Sequence, residues 1–348
     1  ALKYSWTKHR LQFLRPGGTS RGVLTHKDSW FLMATSPEFE YPAIGECSII
    51  PGLSPDPFNE IEKMLDVICV GLTENGDEPD LSKFPALKFG LEMLNTDIAA
   101  KGTKVFRHDK FTSGESGILI NGLVWMGDTD FMKSQLDAKI SEGFTCIKIK
   151  IGSLDFETEK RFLSDLRNRY GDELELRLDA NGAFPISDAS QMLDQLNAFG
   201  IHSIEQPIKA GNWTDMASIC SASPIPIALD EELIGVKSHN EKNELLDAIK
   251  PQFIILKPSL VGGLKECSQW IDLAESKGTG WWITSALESN IGLNAIAQYV
   301  FNKGAFMPQG LGTGSLFANN FDSPLSIQGE MLRFSAHSSW NLDELKDD

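Results

Sequence analysis

The chain has 348 residues, 41% of them hydrophobic and 23% charged, and a formal net charge of −16. That length suits a barrel with an accessory unit, and the balance excludes disordered, collagen-like and coiled-coil classes. The acidic excess repels nucleic acid and anionic membrane, so neither is expected as a partner.

No apolar run reaches the length of a membrane span. No N-terminal stretch combines a basic region, an apolar core and a cleavage site. Cys47, Cys69, Cys146, Cys220 and Cys267 are scattered, with neither disulfide-framework nor zinc spacing. Each reads as a small buried apolar residue, and a reducing, cytoplasmic setting is expected. The sequence carries no signal of oligomeric state.

Residues 1–112 read as an α+β unit. Strands are expected over 3–14, 22–35 and 44–50. The Gly-, Pro- and Ser-rich stretches 15–21 (RPGGTSR) and 51–57 (PGLSPDP) are expected loops. Helices follow over 58–72 and 81–100. From about Gly117 short apolar runs alternate with amphipathic segments. A strand over 144–150 precedes a helix over 156–170, where Phe156, Leu163, Leu166 and Tyr170 share helical spacing. After a strand over 174–179, Ser187 reads as an N-cap, Ala189, Met192, Leu193 and Leu196 as one face, and Gly200 as a stop. Strands then follow over 202–205, 225–230, 253–257 and 280–285, with a helix after Gly263 and a last short strand near 306–307. This alternation predicts a parallel β/α barrel over 113–325, with an open doubly wound sheet as the alternative. Residues 326–334 read as one more strand, in a tail (326–348) that returns to complete the first unit.

Five strands each end in a charged residue: Lys150, Asp179, Glu205, Asp230 and Lys257, at intervals of 25 to 29 residues. One strand–helix–strand unit has about that length, so each charge falls at the C-terminal end of its own strand. In a barrel those ends converge on one mouth. Three carboxylates gathered there would repel one another unless a cation sits among them. An all-oxygen site without His or Cys favours a hard ion, Mg²⁺ or Mn²⁺. Lys148 and Lys150 point to the same side of their strand, and Lys257 stands on the far side of the mouth. A single K-x-K on a strand is usually a solvated face, and a single Asp after a strand is often a helix cap. Five such residues at unit spacing point instead to a metal and a lysine base that remove the proton next to a carboxylate.

The pieces KIK (148–150), RLDANGAF (177–184), IEQPI (204–208), LDEE (229–232) and LKPSLVGG (256–263) resemble the enolase superfamily, in its muconate cycloisomerase-like subgroup. The resemblance covers nearly the whole chain. It implies an α/β fold, a (β/α)7β TIM-like barrel with an N-terminal α+β capping domain. It implies Asp179, Glu205 and Asp230 as Mg²⁺ ligands, with Mn²⁺ as a possible substitute. It makes Lys150 the general base, Lys257 its opposite number across the substrate plane, and Lys148 a holder of Lys150 and of the carboxylate end. Asn181 would touch the substrate or stand just behind the ligands.

The stretches SALESNIG (285–292), GLGTGSLF (310–317), RPGGTSRG (15–22) and GECS (45–48) narrow the likeness to a carbon–oxygen lyase acting on a small-molecule carboxylate. They offer Ser285, Gly312, Thr313, Gly314, Ser20 and Arg21 as substrate contacts. The early loop would close over the mouth, with Gly17, Gly18 and Gly22 permitting the motion. Residues 310–314 also read as a tight rim turn, and they are no phosphate loop. Two other activities remain open on the same residues: racemisation of N-acylated amino acids and epimerisation of dipeptides. Residues 304–314 carry no acid to grip a peptide ammonium, which counts against the dipeptide reading. A metal-binding barrel without chemistry would lack a lysine or a carboxylate, and none is missing.

Overall fold

The computed structural model describes residues 1–19 and 21–346. It opens with a three-stranded antiparallel sheet of β1 (Lys3–Thr19), β2 (Gly22–Thr35) and β3 (Ala43–Ser48), in that order. The β1–β2 register runs from Lys3 opposite Thr35 to Gln12 opposite His26, slips, and resumes at Gly17 opposite Leu24. Residues 15–19, expected as loop, therefore continue the strand. The slip is a bulge that bends the hairpin tip, and two paired backbones need no loop there.

Helices α1 (Ile61–Glu74) and α2 (Pro85–Ala99) cover this sheet. Pro85 occupies the first turn of α2, where its missing N–H costs nothing. The Asp56 carboxylate accepts from the N–H of Ala86 at 3.1 Å and of Leu87 at 3.3 Å. Helix α2 lies so close to β3 that a Cβ on Gly45 would run into the carbonyl oxygen of Gly90. Backbone, not a flexible side chain, would have to give way. Gly45→Ala is therefore expected to lower stability by about 3 kcal/mol, read from the urea midpoint at unchanged slope.

The second region alternates strand and helix. In chain order come β4 (Ile118–Leu119), β5 (Gly122–Val124), α3 (Thr129–Ser141), β6 (Cys146–Lys150), α4 (Phe156–Tyr170), β7 (Glu175–Asp179) and α5 (Ile186–Leu196). Then follow β8 (Ser203–Glu205), α6 (Trp213–Ala222), β9 (Ile227–Leu229), α7 (His239–Ile249), β10 (Phe253–Leu256) and α8 (Pro258–Val261). The region ends with α9 (Leu264–Ser276), β11 (Gly280–Ile283) and α10 (Asn290–Lys303). Strands β5 to β11 form one parallel seven-stranded sheet in sequence order, the order of a barrel and not of a doubly wound sheet. The sheet curls closed through single parallel bridges, Ile120 to Gln309 and Thr284 to Gly310.

The strand expected near 306–307 is absent, and residues 309–310 take its place. Phe306 is 86% exposed and Pro308 has no N–H to give a ladder. Gln309 closes the gap with its side chain, which accepts from the N–H of Ile283 at 2.8 Å.

Alternation along the strands sorts the interior. On β6 and β7, Ile147, Ile149, Leu176 and Leu178 join the main apolar core, while Lys148, Lys150, Arg177 and Asp179 point into the barrel. Below the mouth the interior is plugged by Ala228, Ile255 and Trp282. The Arg177 guanidinium lies 4.3 Å from the centre of the Trp282 ring and donates to the carbonyl of Pro308 at 2.8 Å.

Helix ends follow local chemistry. Asp155 caps α4 by accepting from Thr158 N–H, and Ser238 with Glu241 forms a capping box on α7. Helix α5 starts one residue before Ser187, which lies inside the first turn, because Pro185 already sets the entry. Gly200 takes φ 64° and stops the chain's helical run as expected.

Residues 326–334, expected as one strand, form a hairpin of β12 (Leu325–Gln328) and β13 (Met331–Phe334). Strand β13 pairs with β4. Beyond it, Glu344 reaches His9 of β1 at 3.4 Å. All five cysteines are unpaired thiols, four of them buried. Among the described residues no helix is long and apolar enough to cross a membrane.

Candidate active site

The parallel register sets Lys150 opposite Asp179 and Asp179 opposite Glu205, one row of charge across β6, β7 and β8. Asp230, just after β9, and Lys257, just after β10, extend the row. All of these and Lys148 are buried.

The lysines hold the carboxylates. Lys150 Nζ lies 2.9 Å from Asp179 Oδ2, Lys148 Nζ 3.2 Å from Glu205 Oε2 and 3.6 Å from Asp179, and Lys257 Nζ 2.5 Å from Asp230 Oδ2. Burial lowers the pKa of Lys150 further than Asp179 can restore it. Burial also opposes the ammonium of Lys257, but Asp230 and Glu205 outweigh it and hold its pKa above the ordinary lysine value. Glu205 is pushed up to about 8, by burial first and then by Asp179 and Asp230. Asp179, despite burial, is held below the usual carboxylate range by Lys150 and Lys148.

Glu205 Oε1 and Glu231 Oε2 are buried acceptors without any hydrogen bond. An orphaned carboxylate oxygen inside a set of buried carboxylates fits a hard divalent cation. As the side chains stand, no three His, Cys, Asp or Glu among the described residues are gathered tightly enough to ligate one ion. The lysine ammoniums occupy the carboxylate oxygens instead, and an ion would have to displace part of that pairing.

A second chain of contacts descends from the hairpin tip. Arg21 Nη1 donates to Glu231 Oε1 at 2.8 Å, Asn181 Nδ2 donates to the same oxygen at 3.0 Å, and Lys150 Nζ donates to Asn181 Oδ1 at 3.3 Å. The tip lies against the barrel at Gly18, whose carbonyl accepts from Met126 N–H at 3.0 Å. Lys150 Nζ also lies 5.4 Å from the centre of the Trp125 ring. Asn181, Gln206 and Leu287, just past β7, β8 and β11, all have positive φ, so unusual backbone clusters at this mouth.

A cavity of about 760 Å³ opens here, lined by Arg21, Trp125, Lys148, Lys150, Asn181, Lys257, Ser285, Gly312 and Thr313 among others. Asp179, Glu205 and Asp230 lie beneath its lining. Gly314 stands outside it, with its carbonyl taken by Asn320 Nδ2 at 2.9 Å. Ser20 lies outside the described residues.

A sequence profile described as Enolase C-terminal domain-like matches residues 132–337. The chain belongs to the enolase superfamily. It is 43% identical to an o-succinylbenzoate synthase of Desulfotalea psychrophila, over 96% of this chain and 99% of that one. The crystal structure of MenC from the same organism superposes with a TM-score of 0.85 at 41% identity, covering 95% of this chain and 99% of the other. A dipeptide epimerase of Enterococcus faecalis, solved with Mg and the dipeptide L-Leu-L-Tyr, matches with a TM-score of 0.83 over 97% of each chain. At 17% identity that is a likeness of fold alone.

In this superfamily member the sequence pattern overlooked several residues at the site. Glu231 stands beside Asp230 in the LDEE stretch, and its neighbour's role masked its own. Trp125 carries no periodic signal, since the strand before it has only three residues. Glu46 and Glu288 fall inside the GECS and SALESNIG stretches, where nothing local marks them, and their burial is visible only in the fold.

Proposed function

We propose that the chain is an o-succinylbenzoate synthase, a hydro-lyase. It would convert 2-succinyl-6-hydroxy-2,4-cyclohexadiene-1-carboxylate to 2-succinylbenzoate in menaquinone biosynthesis, in a cytoplasmic setting. The observation that carries this reading is the likeness at 43% identity along 96% of the chain to an enzyme of that name. The cavity supports it, because one wall presents a base and another a fixed cation.

Asp179, Glu205 and Asp230 would hold Mg²⁺, or Mn²⁺ in its place, and the bound ion would supply positive charge for the substrate carboxylate. Lys150 Nζ takes the proton from the carbon bearing that carboxylate. The C–O bond on the neighbouring carbon breaks, the ring gains its third double bond, and hydroxide takes the proton from Lys150 Nζ and leaves as water. The lysine returns neutral. Asn181 and the Trp125 face fix where Nζ stands. Lys257 stays an ammonium over the ring, where it steadies the delocalised anion. The hairpin tip, tied by Arg21 to Glu231, screens the mouth from water.

Loss of the cyclohexadiene absorbance, with 2-succinylbenzoate as product, tests the reading. EDTA is expected to abolish turnover, and added Mg²⁺ or Mn²⁺ to restore it. Lys150 and Lys257 both line the cavity, so racemisation of N-succinylamino acids is the second reading. No dehydration together with solvent deuterium entering the α-carbon of such a substrate would replace the first reading by the second.

A further inference from the structure

Two carboxylates of the N-terminal unit reach across to helix N-termini of the barrel. Glu92 on α2 accepts from the N–H of Leu264 at 2.5 Å and of Lys265 at 3.2 Å, at the start of α9. Neither of those residues lines the cavity. Glu46 on β3 is wholly buried and serves α10. Its Oε1 accepts from the N–H of Ser289 and of Gly292, both at 3.0 Å, and from the Ser289 hydroxyl at 2.5 Å. These groups are the orphan donors of a helix start, and a buried carboxylate satisfies them well.

Unlike Glu92, Glu46 belongs to a buried network that runs into the cavity wall. Lys27 Nζ donates to the hydroxyls of Ser29 and Ser48, both at 2.6 Å. Ser29 donates to Glu46 Oε2 at 2.8 Å, and Ser48 to the carbonyl of Ala286 at 2.9 Å. On the barrel side Glu288 accepts from Ser259 at 2.7 Å, from Ser285 at 2.6 Å and from Ala286 N–H at 2.7 Å. The Ser285 hydroxyl accepts in turn from Thr313 Oγ1 at 2.7 Å and from Leu287 N–H at 3.0 Å.

The hydroxyl of Ser285 thus spends its one hydrogen on Glu288 and both lone pairs inside the protein. It shapes the wall and has no proton left to offer a ligand. Ser285, Ala286, Leu287 and Thr313 all line the cavity. Leu287 stands at φ 62°, a costly conformation for a branched side chain, so the segment needs holding from outside.

We infer that Glu46 is a positioning residue: by capping α10 and anchoring residues 285–289, the N-terminal sheet sets the substrate-binding wall. This role is separate from that of the hairpin tip, which is tied to the barrel by Arg21 donating to Glu231. It rests on the dehydration reading only for its assay.

The test compares Glu46→Ala, Glu46→Gln, Ser48→Ala and Glu92→Ala in steady-state dehydration, with wild type first. A wild type without turnover overturns the functional reading and moves the comparison to proton exchange of N-succinylamino acids. Glu46→Ala is expected to lower kcat/KM about 100-fold, mainly through KM, as a shift of an ångström in a binding wall does. Glu46→Gln keeps an acceptor in place and is expected to recover most of the loss. Ser48→Ala removes the tie to Ala286 and one of the acceptors of Lys27, leaving Glu46 in place. It is expected to raise KM about 10-fold, and it decides the matter if Glu46→Ala does not fold. Glu92→Ala is expected to lower Tm with kcat and KM unchanged. Wild-type KM in both Glu46→Ala and Ser48→Ala would overturn the inference, as would an equal rise in KM in Glu92→Ala.

Discussion

Lys150→Ala is expected to lower kcat on the order of 10⁴-fold, the upper range for removal of a positioned acid–base group. In the proposed reaction the same nitrogen takes the ring proton and gives it to the departing hydroxide, so no second group covers for it. Lys257 has the cation's part in the proposed reaction, and without metal it is paired with Asp230 at 2.5 Å and lies 3.9 Å from Glu205. Lys150→Arg keeps the charge but holds its proton near neutral pH, and is expected to lose as much. Manganese titration followed by electron paramagnetic resonance is expected to show metal binding preserved in both variants. Residual turnover above a hundredth of wild type, with binding preserved, would assign the base elsewhere.

Glu205→Gln is the complementary experiment. Removing one charged member of the proposed ligand set is expected to weaken Mg²⁺ or Mn²⁺ binding more than about 100-fold, beyond what an outer partner of a metal ligand costs. Turnover is expected to fall with it. Stability goes the other way when EDTA is present. Burial and neighbouring carboxylates raise Glu205 from 4.5 to about 8. A group raised on folding contributes stability that is complete below its unfolded pKa and is lost as pH rises through the folded one. The parent without metal therefore weakens between about pH 4.5 and about pH 8, and Glu205→Gln lacks that slope. Thermal unfolding in EDTA across that range is expected to show the variant gaining on the parent as pH rises. Parallel curves would mean that Glu205 does not carry the charge strain. A site less stable by itself than its neutral copy is what a binding centre for a cation predicts.

By itself the sequence determined the barrel and the row of charge. Strands buried on both faces and separated by amphipathic helices leave few alternatives to a parallel α/β arrangement. A charge at each strand end, repeated at the length of one unit, places Lys150, Asp179 and Glu205 in register without further information. The stop at Gly200 was equally legible, because a left-handed turn asks for glycine locally.

Tertiary structure alone decided what depends on distant partners. The hairpin tip over residues 15–19 pairs as strand although its composition reads as loop, since the facing strand supplies the hydrogen bonds. The barrel closes at Gln309 and Gly310 and not at 306–307, because the closing contacts come from Ile120 and Thr284. Ser285 reads as a substrate contact from its motif, yet Glu288, Thr313 and Leu287 exhaust its hydroxyl. Glu46 lies 243 residues from Ser289, and no periodicity spans that gap. Patterns of 2 and 3.6 residues report which face of an element is buried. They do not report which carboxylate meets which helix end, and only the packing of the N-terminal sheet on the barrel determined that.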